Sequence, residues 1–409
     1  MPPELHFESS VVPSPRGGAL DSDEAGEPIV SKVLVACTED WFTLSHFIPL
    51  LRRLRKLARD VVVVTRSSGR MGEIEQLGCR TIALDYGRSS MNPMREATTV
   101  RRLAAILAEE APDVAHLIAM KPIVLGGLAT FSVPPRHTVI HMTGLGFLAI
   151  SSTVKARAAR LAALRVMRGV LRRPGSWLLV ENPEDLAFLE AGGVKPDTRF
   201  TMLGGAGIDP EAFSPPQNLN NPTPVAAYVA RMIQPKGVDV LMDAGDLLVK
   251  RGVPLVIELY GETDDGNPEA ISADKLAAWA HGEDRRYMGF TRDVAAVWRR
   301  ADIFVLPARS REGMPRALLE AASSGRAVVV TDVPGCRTFV RDGVEGLVVP
   351  PGDATALADA LQKLVLDAGL RARLGKMARQ RVLSGYTERH VETALESAYR
   401  TMLALDGVR

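Results

Sequence analysis

Short β-branched, apolar runs alternate with stretches of helical periodicity along almost the whole chain. This alternation constrains the fold more than any other feature. From residue 32 the order is strand 32–37, helix 42–57, strand 61–65, strand 80–84, helix 94–110 and strand 114–119, with further strands at 138–142, 177–180 and 200–203. Runs this short and apolar must be covered on both faces, as in a parallel sheet flanked by helices. The rhythm breaks at 218–224, where Asn-Leu-Asn-Asn-Pro-Thr-Pro is polar and proline-bearing, as linkers are. It restarts with strand 225–230, helix 238–251, strand 255–260, helix 271–280, the segment 287–290, and strands 303–307 and 327–331 around a further helix. The fold class expected is α/β: two domains with parallel sheets and a cleft between them. Their strands should point their carboxyl ends at that cleft, where open α/β sheets bind ligands.

A chain of 409 residues is too long for one ordinary domain. The divisions expected are a disordered tail 1–30, a domain 31–217, a domain 218–385, and a terminal helix 386–409 packing back on the first domain. The tail holds Pro-Pro, Ser-Pro, Gly-Gly and a run of acids, and lacks the basic start and apolar core of a signal peptide. Cys37, Cys79 and Cys336 are too widely spaced for a disulfide framework or a zinc site, which suits a reducing, cytoplasmic compartment. No apolar run approaches the ~20 residues of a membrane span. Neither a Walker-type loop nor a Gly-x-Gly-x-x-Gly after the first strand occurs. No metal-ligand spacing of His and Cys is present, so no metal and no other cofactor is expected. Asp264-Asp265 lies on a Gly/Asn/Pro loop and reads as a turn before it reads as a cation site.

The most informative stretch is Arg311-Glu-Gly-Met-Pro-Arg-Ala-Leu-Leu-Glu320. Pro315 is placed to open a helix and Gly325 to close it. Glu312, Gly313 and Met314 would then lie at a helix mouth, where free N–H groups and a partial positive charge favour anions. Glu312 and Glu320 are eight residues apart, one on the loop and one on the helix. Carboxylates suit hydroxyl-rich ligands, although such acids also serve helix dipoles and solvated faces. Arg231 and Lys236 share the loop after strand 225–230 and suit a pyrophosphate, the alternative being a solvated basic loop. The glycine cluster 204–207 lets the backbone approach a ligand, the alternative being a hinge turn.

In the first half, Thr143, Gly144 and Gly146 follow strand 138–142 and would line the facing wall, with His141 just before them. His141 could bond a substrate hydroxyl or transfer a proton, or be a packed residue, and His46 and His116 pose the same choice. The segment 152–173 carries Lys155, Arg157, Arg160, Arg165, Arg168, Arg172 and Arg173 with no acid, while Leu161, Leu164, Met167, Val170 and Leu171 recur at helical spacing. It reads as a helix for an anionic membrane surface, the alternative being a solvated face. Arg52, Arg53, Arg55, Lys56 and Arg59 form a second basic cluster. No aromatic-interleaved basic stripe occurs, so nucleic acid is not expected as a partner.

These residues resemble a known family, the retaining glycosyltransferases of family 4, which have the GT-B fold of two facing Rossmann-like domains. Glu312 and Glu320 meet the family's E-x7-E signature, Arg231 and Lys236 match its phosphate loop, and GVEGLVVPPGD at 343–353 is similar to its downstream sequence. In the first half DWFTLSH (40–46), HLIAMKPIVLGGLA (116–129), TGLGF (143–147) and ENPED (181–185), with YGETDDGNP (260–268) in the second, resemble a bacterial branch. That branch builds surface polysaccharides and glycans by moving a sugar, often an N-acetylhexosamine, from a UDP-sugar to a saccharide on undecaprenyl diphosphate.

The resemblance implies a metal-independent transfer at the inner face of the plasma membrane. It implies that Arg231 and Lys236, with the mouth at Gly313, Met314 and Pro315, neutralise the donor diphosphate. Glu320 would bond the ribose, the backbone at Phe290 and Thr291 the base, and Glu312 the donor sugar, with His141 also in the catalytic set. The acceptor would meet Thr143, Gly144, Gly146, His46 and Lys121. The first loop, 38–41, departs from the family in lacking a glycine pair. Rival readings are a UDP-sugar 2-epimerase on the same fold and a non-catalytic nucleotide-sugar-binding module.

Overall fold

The computed structural model of the chain describes residues 27–405, apart from 88–91, 145–152, 218–220, 265, 266, 268 and 281. Residues 1–26 of the expected tail, Gly146 of the expected acceptor wall, part of the expected linker and Asp265 therefore lie outside the described residues.

Among the described residues the strands form two sheets. The first holds β1 (Val30–Glu39), β2 (Ala58–Arg66), β3 (Arg80–Ala83), β4 (Val114–Ile118), β5 (His137–Met142), β6 (Ser176–Val180) and β7 (Phe200–Met202), in the order β3-β2-β1-β4-β5-β6-β7. The second holds β8 (Val225–Val229), β9 (Val256–Tyr260), β10 (Arg285–Gly289), β11 (Ile303–Leu306), β12 (Ala327–Thr331) and β13 (Gly346–Val349), in the order β10-β9-β8-β11-β12-β13. The pairings are parallel in both. Each sheet starts in its middle and reverses direction there, which is the doubly wound order that opens a crevice at the strands' carboxyl ends. Strands such as β4, β5, β6, β11 and β12 are buried along their whole length, which is why they read as largely apolar runs, interrupted in β4 and β5 by His116, His137 and His141. The α/β expectation therefore holds, with Rossmann-like sheets in both halves.

Local departures have local causes. The helix expected over 42–57 is two, Asp40–His46 and Ile48–Leu57, with Phe47 between them at φ −123°. Pro49 opens the second helix; its missing N–H leaves the Ser45 carbonyl without a helical donor. Strand β1 begins at Val30, two residues before the expected start. The helix Ala368–Gly385 is not anticipated by periodicity, because much of its buried stripe (Leu374, Gly375, Ala378, Val382) is small.

The core lies in layers on the two faces of the first sheet and around the second. After the second sheet the helix Glu388–Ala404 returns to the first half. There Leu395, Tyr399 and Met402 join its core and Arg53 pairs with Glu396. At the crossings, Ile208 N–H donates to the Tyr386 carbonyl and Glu388 N–H to the Ile208 carbonyl, both at 3.0 Å. The glycines at 204–207 admit other parts of the chain rather than a ligand: Gly207 lies against the Glu388 backbone and Gly205 against Met314.

Candidate active site

Loops at the carboxyl ends of β8 and β11 meet at the cleft. After β8, Arg231 reaches Asp264 (Nη1 to Oδ2, 3.0 Å) and Lys236 ends a single 3-10 turn, Gln234–Lys236. After β11, Glu312 receives the Lys236 ammonium on both carboxylate oxygens at 2.8 Å. Gly237 makes this meeting possible. It sits at φ +72°, and a side-chain carbon there would collide with the Pro307 carbonyl at the start of the Glu312 loop. Phe290, just past the carboxyl end of β10, is 57% exposed.

The helix following Glu312 runs Arg316–Ser323, with Pro315 as its cap rather than its first residue. The Pro315 carbonyl accepts the N–H groups of Leu318 (3.1 Å) and Leu319 (3.3 Å). Gly325, at φ +69°, closes it as expected, with Arg326 N–H returning to the Ala321 carbonyl at 2.9 Å. Glu320 is buried and bonded by Arg316 (Nε to Oε1, 2.8 Å). Arg231, Lys236 and Arg316 are thus each paired with a carboxylate. An entering anion must compete for cations that are already neutralised.

The first half faces this array closely. Gly144, at φ +107°, lies against Gly313, and a side-chain carbon on it would come to 3.0 Å from the Gly313 nitrogen. Arg316 donates to the Ser45 carbonyl, the group that Pro49 leaves unpartnered. His46, expected on the acceptor side, lies beside the donor-side cations. Burial first, and then the charges of Arg316, Lys236 and Arg231, lower its pKa to about 3. Its Nδ1 is 2.7 Å from Ser45 Oγ.

His141 is 2% exposed on β5. Its Nδ1 is 3.2 Å from His116 Nε2, whose Nδ1 is 2.8 Å from the Tyr399 hydroxyl. Phe47 packs edge-on to its ring, and burial lowers its pKa to about 3, so it is neutral. The structure gives it the packed position that was the alternative to catalysis; its Nε2 has no partner among the described residues. Lys121 spends its ammonium within the first half, on Glu96 (3.0 Å) and the Gly87 carbonyl.

The helix mouth departs from expectation. The Met314 N–H, expected to face an anion, is donated to Glu181 Oε2 of the first half at 2.8 Å. Around it Asp185 holds Arg311 (3.0 Å) and Glu184 holds Arg337 (3.1 Å). These seam residues are missed as site residues by sequence reasoning. The available signal was an acid-rich helix start, ENPED, directly after a strand whose end faces the cleft. Burial, with Asp185 adding to it and the Met314 N–H opposing, pushes the Glu181 carboxyl up to about 8.

The basic helix runs Val154–Leu171. Its expected apolar stripe divides: Met167, Val170 and Leu171 are core, whereas Leu161 is 53% exposed; Val154, outside that stripe, is 81% exposed. Arg157, Arg165, Arg168 and Arg172 are exposed with them. Among the described residues no helix is long and apolar enough to cross a membrane.

Two family models match. Residues 32–167 match the glycosyl transferase 4-like model and residues 223–367 the glycosyl transferases group 1 model. The chain is 26% identical over 356 residues to the N,N'-diacetylbacillosaminyl-diphospho-undecaprenol alpha-1,3-N-acetylgalactosaminyltransferase of Campylobacter jejuni, covering 83% of this chain and 91% of the relative. It is 22% identical over 376 residues to the capsular polysaccharide biosynthesis glycosyltransferase CapM of Staphylococcus aureus, covering 88% and 96%. Among solved structures, Anabaena HepE in complex with UDP and glucose shares the fold with a TM-score of 0.74 at 15% identity, covering 90% of this chain and 99% of that one. Sucrose-phosphate synthase of Thermosynechococcus elongatus does so with a TM-score of 0.72 at 20% identity, covering 91% and 99%. With one family model on each half and the GT-B architecture joining them, the chain belongs to the group 1, family 4-like glycosyltransferases.

Proposed function

We propose that this glycosyltransferase moves a hexose or N-acetylhexosamine from a UDP-sugar to a saccharide carried on a lipid diphosphate, with retention of the anomeric configuration. The observation that carries the donor assignment is the meeting of Lys236 with Glu312, with Arg231 on the same loop. The donor diphosphate takes Arg231 and Lys236 from their carboxylates. Glu312, so released, turns to the hydroxyls of the sugar, and Glu320 bonds the ribose. The base lies at Phe290 and Thr291. The anomeric C–O bond to the diphosphate breaks while the acceptor hydroxyl attacks from the same face and gives its proton to the departing diphosphate oxygen. The cations stabilise the charge that develops on the departing UDP. This scheme calls on no metal ion.

The acceptor class is supported by the Campylobacter relative, which acts on a diphospho-undecaprenol-linked sugar, and by the exposed arginines beside Val154 and Leu161; the Staphylococcus relative supports polysaccharide biosynthesis. That face would rest on the anionic inner surface of the plasma membrane, each well-placed cation contributing about 1 kcal/mol. Calorimetric titration tests the donor site. UDP binding is expected to weaken at least tenfold in Lys236→Ala and in Arg231→Ala; unchanged affinity in both would place the diphosphate elsewhere. Flotation with phosphatidylglycerol vesicles tests the surface. Arg157, Arg165, Arg168 and Arg172 changed together to Gln should leave the protein unbound, and undiminished flotation would remove the helix from the proposal.

A further inference from the structure

The turn that carries Glu312 is held largely by the other half of the molecule. Within the second half, Glu312 N–H donates to the Pro334 carbonyl at 3.1 Å. The Glu312 carboxylate stays with Lys236 of its own half, while the Glu312 and Gly313 carbonyls and the Met314 N–H bond across the cleft. Asn182 Nδ2 approaches the carbonyls of Glu312 at 3.4 Å and Gly313 at 3.3 Å. Glu181 Oε2 accepts the Met314 N–H at 2.8 Å. Asn182 can present its amide this way because its Oδ1 caps the helix Pro183–Ala191, accepting Asp185 N–H at 2.8 Å, which fixes the side chain.

The fit leaves no spare volume. A side-chain carbon on Gly313 would collide with Glu181 Oε2 and stand 2.6 Å from the Thr143 carbonyl. Glu181 is itself a buried carboxyl, 7% exposed. Burying a carboxyl is costly unless its partner is supplied, and that partner arrives only when the two halves meet. Glu181 and its neighbours are therefore poorly explained as surface acids and well explained as parts of a clasp.

We propose that Glu181 is a positioning residue: by clamping the Met314 N–H when the halves close, it sets the Glu312–Gly313 turn in its working geometry and couples closure to assembly of the donor site. The catalytic part of this inference rests on the proposed donor site; the clamp itself does not. When the halves separate, the carboxyl returns to water and to an ordinary carboxylate range. Closed, it holds its proton up to about pH 8. The closed form thus binds a proton that the open form lacks. Closure is strongest below the ordinary carboxylate range and weakens as pH rises to about 8, by up to about tenfold per unit. The charged group that acts on Glu181 is Asp185, on the helix that follows it; Asp185 and Glu184 of that helix are themselves paired with Arg311 and Arg337 of the second half, and the clamped turn carries the Lys236–Glu312 pair. His46 is neutral through this window.

The test compares the full chain with Glu181→Gln and Glu181→Ala. Small-angle scattering without any donor reads closure. The wild type should expand between pH 5.5 and pH 8.5, and the Gln variant, which keeps an acceptor oxygen but cannot titrate, should not. With donor and acceptor present, UDP release should show a kcat at least tenfold lower in the Ala variant with donor KM within about threefold. The Gln variant should stay within about threefold of wild type, with a flattened pH profile. Equal pH dependence of wild type and the Gln variant, or an unchanged kcat in the Ala variant, would overturn the inference. If the Ala variant does not fold, the Gln comparison decides. If no donor is turned over at all, the proposed function fails while scattering still judges the clamp.

Discussion

Glu312 and Lys236 restrain each other in the ligand-free site, and this coupling makes the roles separable. Replacing Glu312 by Gln removes the carboxylate that competes for the Lys236 ammonium. UDP should then bind several-fold more tightly while sugar transfer falls by about two orders of magnitude. Calorimetry and UDP release, run on the same preparation, check both halves of this expectation. His46 offers a second reading of the site. Free, it is neutral because burial and the charges of Arg316, Lys236 and Arg231 lower its pKa to about 3. A bound diphosphate offsets those charges and should raise it, which histidine NMR titration with and without UDP can follow. The lowered values of His46 and His141 also set the sign of acid stability. The unfolded chain binds protons near pH 6.5 and the folded one does not, so stability should fall as pH drops from about 6.5 towards 3. The meeting of Lys236 with Glu312, and Arg231 on the same loop, was legible in the sequence because each of the three lies on a loop after a strand, Lys236 and Glu312 beside a glycine. Glu181 was not, since its partner is 133 positions away.

At the scale of elements, loops at strand ends are aimed by glycines that admit a neighbour's carbonyl. Gly237 carries this furthest, since its φ of +72° and its contact with the Pro307 carbonyl both exclude a side chain. Gly237→Ala should lower stability by about 2 kcal/mol or more and weaken UDP binding with it, as urea titration and calorimetry would show. Strand and helix order was legible because burial on both faces writes apolar runs into the sequence. The break at Phe47 was also written there, in Pro49, but its consequence was not. The freed Ser45 carbonyl finds its donor, Arg316, in the other half of the chain.

At the scale of the molecule, the helix Glu388–Ala404 binds the end of the chain to its beginning. Tyr399 bonds His116 inside the first half's core. Tyr399→Phe leaves that buried nitrogen without its partner and should cost about 1–3 kcal/mol, seen as a lower melting temperature. Two sheets were legible from one rhythm repeated. Their facing across a cleft was expected as well; the contacts that hold it, Glu181, Asn182 and Asp185 on residues 311–314, were not, because no local pattern encodes them.

The central claim is transfer from a UDP-sugar to a lipid-linked saccharide. Its most direct measurement is UDP release from a panel of UDP-hexoses and UDP-N-acetylhexosamines, with and without a saccharide on undecaprenyl diphosphate. The account predicts release from at least one donor that depends on the acceptor and is abolished in Lys236→Ala. Release that ignores the acceptor, or epimerisation of the donor in its absence, would contradict it.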